Sequence, residues 1–494
     1  MTTISKFILS CVLILGNLSI GAQENNIFLN RHFWKSNPIM STINQKINEG
    51  HRVDQLNPNG FDPVTYAILE NAEHKIITYL LSQKGNPIHK RTHDGRTYLF
   101  WAAYKNNIDL VVYLLQNGAR TDILDDKGYT VLNFAANSGV TSRTMYELLL
   151  HHDPSLLHKN TSRGANALLL VSPYVHNFKL IDYLISKGLT LFDTDTNGHG
   201  VFNYATQKGH VSILKKLISR GVCYNDQTML FATKPSRNGY NPLAFFKQLE
   251  ALGVSPNSTD HKGMTPLHNL AYANNDLSSI NYFIRKGISI NSVDKNGNTP
   301  LINAASRNDL AVIKLLIGNN TDINHANNKG HTALTKALQN TSDVVHFLLK
   351  KGAHTSIVDT RGYTLGYHLF QTYSDKNQEN FLKKRALLET FGLSVTAPQK
   401  DGNTLYHLAV EKQSRSMLDL LKSYTLNINA KNNDGYTPLQ KAVMISKNIQ
   451  LITYLIELGA DIRVTTDFNE TVYDLAMENE ALHMSDLNFL KLTK

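Results

Sequence analysis

The feature that most constrains this chain is that it repeats itself. Residues 263–330 read GMTPLHNLAYANNDLSSINYFIRKGISINSVDKN and then, in register, GNTPLINAASRNDLAVIKLLIGNNTDINHANNK, before a third copy opens at Gly330. Self-similarity at a period of about 34 residues specifies stacked helix pairs, each burying its apolar face only against its neighbours. A single closed core is thereby excluded. The prior of roughly three globular domains that 494 residues would suggest no longer applies.

The turn that opens each copy can be followed along the chain. It falls at Gly60, Gly95, Gly128, Gly164, Gly198, Gly263, Gly297, Gly330, Gly362, Gly402 and Gly435, with Gln227 and Asn469 as weaker register points. Successive spacings lie between 29 and 40 residues. Dipeptides such as Asp94-Gly95, Asn296-Gly297 and Asp434-Gly435 are tight-turn signals, with glycine supplying positive φ at little steric cost. Thr97, Thr130, Thr265, Thr299, Thr332, Thr404 and Thr437 then sit at the helix start, where a hydroxyl can cap free N–H groups. Pro266, Pro300 and Pro438 follow in the first turn, where a missing N–H costs nothing. Apolar pairs such as Leu114-Leu115 and Leu348-Leu349 give the second helix its core face. Glycines at 85, 118, 188, 221, 253, 287, 352, 392 and 459 predict left-handed helix ends, and Asn320 is expected to substitute where glycine is missing.

TPLHNLA at 265–271, TPLINAA at 299–305, TLYHLAV at 404–410 and TPLQKAV at 437–443 resemble the ankyrin-repeat signature, Thr-Pro-Leu-His-x-Ala. The unit endings Gly459-Ala460-Asp461-Ile462 and Gly118-Ala119 are similar to that family too. The resemblance covers nearly the whole chain after residue 22. It implies an all-α ankyrin-repeat solenoid of about 13 units, each a β-turn finger plus two antiparallel helices, in a curved array. The expected organisation is an N-terminal capping helix pair over 23–59, repeats over 60–468 and a C-terminal capping repeat over 469–494. Within the cap, Ile27 to Trp34 and Pro38 to Glu49 read as its two helices. Three stretches depart from the template, at 141–163, 227–255 and 362–395, and are read as bends in the stack or as contact points. The last carries Gly366 where leucine belongs.

The first 22 residues carry an address. Lys6 precedes the apolar run Phe7 to Leu15, followed by small residues up to Ala22, the pattern of a cleavable secretory signal peptide. The run is too short for a transmembrane span and none follows, so an exported protein, periplasmic or extracellular, is expected. After cleavage Cys223 is the one remaining cysteine, which excludes an intrachain disulfide. The excess of 50 basic over 40 acidic residues forms no Lys/Arg block, which argues against nucleic acid as the partner.

Catalytic spacings are missing: no phosphate loop, no HExxH and no nucleophile elbow. His89 and His93 flank a turn, and adjacent His151 and His152 point apart, so neither pair suggests metal ligands. No enzyme activity, cofactor or metal is expected. The family resemblance implies binding of another protein by a monomer through the fingers and first helices. The candidate contact residues are those after the turn glycine, taken to project outward, namely Arg96, Tyr129, His199, Met264, Asn298, His331, Tyr363, Asn403 and Tyr436. Tyr98, Trp101, Tyr104 and Tyr367 add aromatic area, the kind of side chain that dominates interface hot spots. The wording of the chain, rich in Asn, Ile and Lys, and its short leader suggest a bacterial source. Similarity to exported bacterial ankyrin-repeat proteins leaves two other roles open: an accessory to a peroxide-detoxifying catalase or peroxidase, and a secreted effector.

Overall fold

A computed structural model describes residues 26–236, 239–482 and 487–491; the expected signal segment lies outside them. The described residues form helices and turns, with β-pairing limited to isolated bridges such as Thr194 with Gly200 and Val358 with Thr364. The chain divides into two compact units. One comprises the described residues up to Ala232 together with Ala251–Val254, and the other Thr233–Glu250 and the residues from Ser255 on.

Helix pairs fall where the repeat places them: Pro266–Ala273 with Leu277–Arg285, Pro300–Ala305 with Leu310–Leu315, and Ala333–Ala337 with Ser342–Lys350. First helices of consecutive repeats pack on one another. Small residues make this approach possible: Ala271, Ala304, Ala337, Ala409 and Ala442 are fully buried in it. Leu267, Leu301, Leu334, Leu405 and Leu439 fill the seam beside them, each leucine contributing about 1.5–3 kcal/mol by leaving water.

Threonine hydroxyls cap the helix starts at Thr130, Thr299, Thr332 and Thr437, accepting from the N–H three residues on at 3.1–3.3 Å. The turn glycines adopt φ near +75°, and Asn469 takes the same conformation at +62°. Gln227 is not among the left-handed residues, so the register point there carries no such turn. Asn320 is not left-handed either. The helix before it stops at Leu315, and Thr321 closes the end instead, its hydroxyl accepting from Gly318 N–H at 2.9 Å and donating to Leu316 O at 3.3 Å.

Successive fingers are joined by backbone bonds. Lys295 N–H donates to Lys262 O at 2.7 Å, Asn328 to Asn296 at 2.9 Å, Thr360 to Lys329 at 3.1 Å and Asn433 to Asp401 at 2.9 Å. This closeness makes glycine necessary at Gly297, where a Cβ would lie 2.8 Å from Asn328 N and 2.9 Å from Asn327 Cα, at φ +77°. Gly297→Ala is therefore expected to destabilise by more than the ~1–2 kcal/mol that a left-handed conformation alone costs. Urea unfolding checks this, and a loss below about 0.5 kcal/mol would show that the fingers can part freely.

A second ladder runs through the loops between paired helices. Asn308 Nδ2 donates to Ala271 O and Asn274 O at 2.8 and 3.1 Å, and Asn340 repeats this on Ala305 O and Asn308 O at 3.1 and 2.9 Å. In the long unit the donor is the buried Lys384, whose amine reaches Leu338 O and Asn340 O. Burial lowers its pKa to about 8. Gly366 is explained in the same unit, because a Cβ there would meet Val395 O at 2.9 Å. At the N-terminus, Ile27–Leu29 and Arg31–Lys35 replace one continuous helix, because the Asn30 side chain caps His32 N–H and restarts it. The following helix is Met40–Asn48.

Candidate functional site

Finger chemistry begins three residues before the turn glycine, at an Asp or Asn in most units and at Thr92, Thr161 and Gln399 before Gly95, Gly164 and Gly402. There an Asp or Asn oxygen accepts the N–H groups two and four residues later: Asp294 from Asn296 and Asn298, both at 2.8 Å, and Asn327 from Lys329 and His331, both at 3.0 Å. Asp125, Asp195, Asp260, Asp359 and Asn432 do the same. The backbone N–H of the residue three before the glycine donates to the carbonyl of the residue after it, and this folding back draws that residue into the finger stack. The expected outward projection of those residues is corrected accordingly. Arg96, His199 and Asn403 are buried, while Tyr129, Met264, Asn298, His331, Tyr363 and Tyr436 are half-buried.

These side chains meet the Asp or Asn of the next finger or pack on aromatic neighbours. Arg96 Nε donates to Asp125 Oδ2 at 3.0 Å and lies over the rings of Phe134 and Trp101 at 4.3 and 5.4 Å. Asn298 Oδ1 accepts from Asn327 Nδ2 at 2.7 Å, and Asn403 Oδ1 from Asn432 Nδ2 at 2.9 Å. His199 Nδ1 lies 2.9 Å from Asp195 Oδ2 in its own finger. Burial, then the Asp125 charge, raises the pKa of Tyr129.

The aromatic candidates are largely interior, again unlike the expectation. Tyr98 is fully buried and donates to Asp62 Oδ2 at 2.6 Å. Trp101 is buried, its Nε1 donating to Thr92 Oγ1 at 2.7 Å, with half-buried Tyr104 against it at 6.3 Å. Tyr367, also buried, stacks on Tyr363 at 4.1 Å. The structure therefore gathers Arg96, Trp101 and Tyr104 into one cluster and Tyr363 with Tyr367 into another. Tyr98 turns away from the first cluster toward the preceding repeat.

What the fingers do expose is the residue one or two places before the glycine. In the second unit these are Lys262, Lys295, Lys329, Arg361 and Lys400, one basic side chain on each of five consecutive fingers, all exposed. Of the acidic groups of the same fingers, Asp294 and Asp359 are buried behind them and Asp260 and Asp401 are half-buried. Such a row escapes a search for basic blocks because its members stand a whole repeat apart in the chain.

Histidines take two structural roles. His268 Nδ1 accepts from Thr265 N–H at 3.1 Å and Nε2 donates to Asn298 O at 3.1 Å; His407 does likewise with Thr404 N–H at 3.1 Å and Tyr436 O at 3.0 Å. Elsewhere His331, Asp359 and His368 converge, with candidate ligand atoms all within 4.8 Å of one another. Asp359 Oδ2 lies 3.6 Å from His331 Nε2 and 3.2 Å from His368 Nε2. Neither Nε2 has a hydrogen-bond partner among the described residues, nor has His331 Nδ1. Burial lowers the pKa of both histidines. Asp359 is held below the carboxylate range against its own burial, through the N–H donors of Tyr363 and Arg361. The cluster borders a cleft of about 360 Å³ lined also by Thr335, Lys336, Gln339 and Gln371. No helix of the described residues is long and apolar enough to cross a membrane.

A family model for ankyrin repeats in three copies matches residues 36–125, 64–160, 229–327, 269–359 and 376–466, well over half of the chain. The chain belongs to the ankyrin-repeat family. An ankyrin repeat protein of Fowlpox virus (strain NVSL) is 32% identical over 150 residues, covering 29% of this chain and 42% of that protein. Another, from Acanthamoeba polyphaga mimivirus, is 23% identical over 405 residues, covering 75% of this chain and 48% of that protein. The chain thus spans less than half the length of either relative. Among solved structures, the human ASB11 ankyrin repeat domain is similar at 19% identity and a TM-score of 0.38, covering 47% of this chain and 100% of that domain.

Proposed function

We propose that this protein is a non-catalytic scaffold that binds a partner protein through its exposed finger tips, and that it acts outside the cytoplasm. The observation that carries the reading is the row Lys262, Lys295, Lys329, Arg361 and Lys400 on successive fingers. A surface of that sign suits a partner presenting carboxylates, with charge complementarity setting approach rate and register. Half-buried Tyr363, stacked on buried Tyr367 and lying under Arg361, supplies apolar area next to the charge. Export rests on the basic, apolar and small-residue order of residues 6–22. N-terminal sequencing of the protein recovered from an envelope fraction tests it: a chain still beginning at Met1 would sink export.

Crosslinking in intact cells tests the binding face. Crosslinks should concentrate on Lys262, Lys295 and Lys329 and reach an acidic protein. The triple variant Lys262→Glu, Lys295→Glu, Lys329→Glu should weaken capture by at least about tenfold. Its thermal stability should hold within about 0.5 kcal/mol, as for other surface changes. Crosslinks centred on the second-helix lysines Lys215 and Lys216, or nucleic acid as the captured species, would sink the assignment.

A further inference from the structure

The place where a finger's last residue meets the next finger's Asp or Asn recurs along the chain, and at three of these places the two sides are complementary. Arg96 meets Asp125 at 3.0 Å, Asn298 meets Asn327 at 2.7 Å and Asn403 meets Asn432 at 2.9 Å, each donor facing an acceptor. His331 and Asp359 occupy the equivalent positions without forming that bond, at 3.6 Å. His368 brings a second unsatisfied Nε2 to the same carboxylate oxygen. Three ligand-type atoms thus converge here, and the two imidazole nitrogens among them have no hydrogen-bond partner among the described residues.

We propose that His331, Asp359 and His368 form a three-ligand site for a divalent transition metal of the zinc class, with the fourth position open to the cleft. Two imidazoles and one carboxylate are a borderline donor set that suits Zn²⁺. Tetrahedral bonds of about 2.0–2.1 Å place ligand atoms about 3.3 Å apart. The carboxylate oxygen already stands 3.2 and 3.6 Å from the two Nε2 atoms. The imidazole ligand atoms, within 4.8 Å of one another, would close by at most about 1.5 Å through side-chain rotation to reach that separation. Asp359 is fixed for the task, because its other oxygen accepts Arg361 N–H at 2.8 Å and Tyr363 N–H at 3.0 Å. Such anchoring of a ligand by outer hydrogen bonds is general in metal sites. Two cations face the site: Lys336 lines the cleft, and Arg361 Nη2 is 3.5 Å from Asp359 Oδ2. Arg361 is exposed and rests over Tyr363, so it can withdraw. Lys336 favours an anionic fourth ligand, a hydroxide or a carboxylate.

The test uses the full chain, stripped with a chelator, titrated with Zn²⁺ by calorimetry and with Co²⁺ by visible absorption. One equivalent should bind, with the strong ligand-field bands of tetrahedral Co²⁺. His368→Gln and Asp359→Asn should each weaken binding by at least about 100-fold, beyond the effect of losing an outer-shell partner. Asp359→Asn keeps the finger intact, because Asn327 and Asn432 hold their own fingers with the same side-chain oxygen. His151→Gln, on an exposed helix end in the other unit, should bind as the unaltered chain does. Binding of less than about a third of an equivalent, or equal affinity in the Asp359→Asn and unaltered proteins, would overturn the proposal.

Discussion

Replacing His268 by alanine should lower stability by about 1–3 kcal/mol, whereas glutamine at the same position should fold well and blunt the chain's sensitivity to acid. The partners of this ring determine its tautomer. A backbone N–H, that of Thr265, can only donate, so Nδ1 is the acceptor; a carbonyl, that of Asn298, can only accept, so Nε2 carries the proton. Alanine leaves the Thr265 N–H buried and unpaired, at about 1–3 kcal/mol, while Asn298 O keeps the N–H of Asp294 at 3.0 Å. Glutamine can serve both, as Gln440 does: its Oε1 accepts from Thr437 N–H at 2.8 Å and its Nε2 donates to Val464 O at 3.0 Å.

The pH dependence follows from the same ring. Burial lowers the pKa of His268 and His407 below the ordinary 6.5. The unfolded chain then takes up protons that the folded chain refuses. Stability from these rings is therefore complete above about pH 6.5 and is lost as the pH falls toward the depressed folded values. Melting curves at about pH 7.5 and about pH 5 check this. The His268→Gln, His407→Gln double variant should lose less on acidification than the unaltered protein, and an equal loss in both would show that these rings are not responsible.

Asp62→Ala should be the most damaging single change in the first unit, at about 3–5 kcal/mol. Asp62 is fully buried. One of its oxygens accepts Thr65 N–H at 2.8 Å and caps the helix Pro63–Leu69; the other accepts the Tyr98 hydroxyl at 2.6 Å and pairs with Lys90 Nζ at 2.8 Å. Removing the carboxylate strands the ammonium of Lys90, which keeps only the neutral acceptors Asp54 O and Asn86 Oδ1 at 2.7 and 2.9 Å. Asp62→Asn retains the cap oxygen and should lose less. Urea unfolding ranks the two; an alanine variant within about 1 kcal/mol of the unaltered chain would mean that Lys90 finds water readily.

Local chemistry was legible from the sequence because every repeat states it again. Turn glycine, capping threonine and first-turn proline act within four or five residues, and Asn469 even revealed a left-handed turn without glycine. Side-chain destinations were not legible to the same degree. The Tyr98 hydroxyl finds its acceptor 36 residues earlier, and Trp101 is sealed beneath Arg96 although both belong to a finger and first helix expected to face outward. The outward finger position lies two or three residues before the expected one, since the turn reads the same from either side of its glycine until the backbone bonds across the turn are seen. His331, Asp359 and His368 lie in successive repeats. Only laying one repeat upon the next, with His331 one place after its glycine and Asp359 three before the following one, would have brought them together.

The loop ladder gives the second unit a direction. Asn308, Asn340, Lys384 and Asn479 all donate backward, to carbonyls that end the first helix of the preceding repeat. A repeat lost from the C-terminal side therefore takes with it the donors that closed its predecessor, and the opened helix end is the next to fray. A repeat lost from the N-terminal side removes acceptors of this ladder, and the freed amide turns to water while its own helix keeps its closure; forward bonds such as Asn291 Nδ2 to Asn320 O and Asn324 Nδ2 to Gly352 O go with it. Fraying of these first-helix ends should thus run more readily toward the N-terminus than away from it.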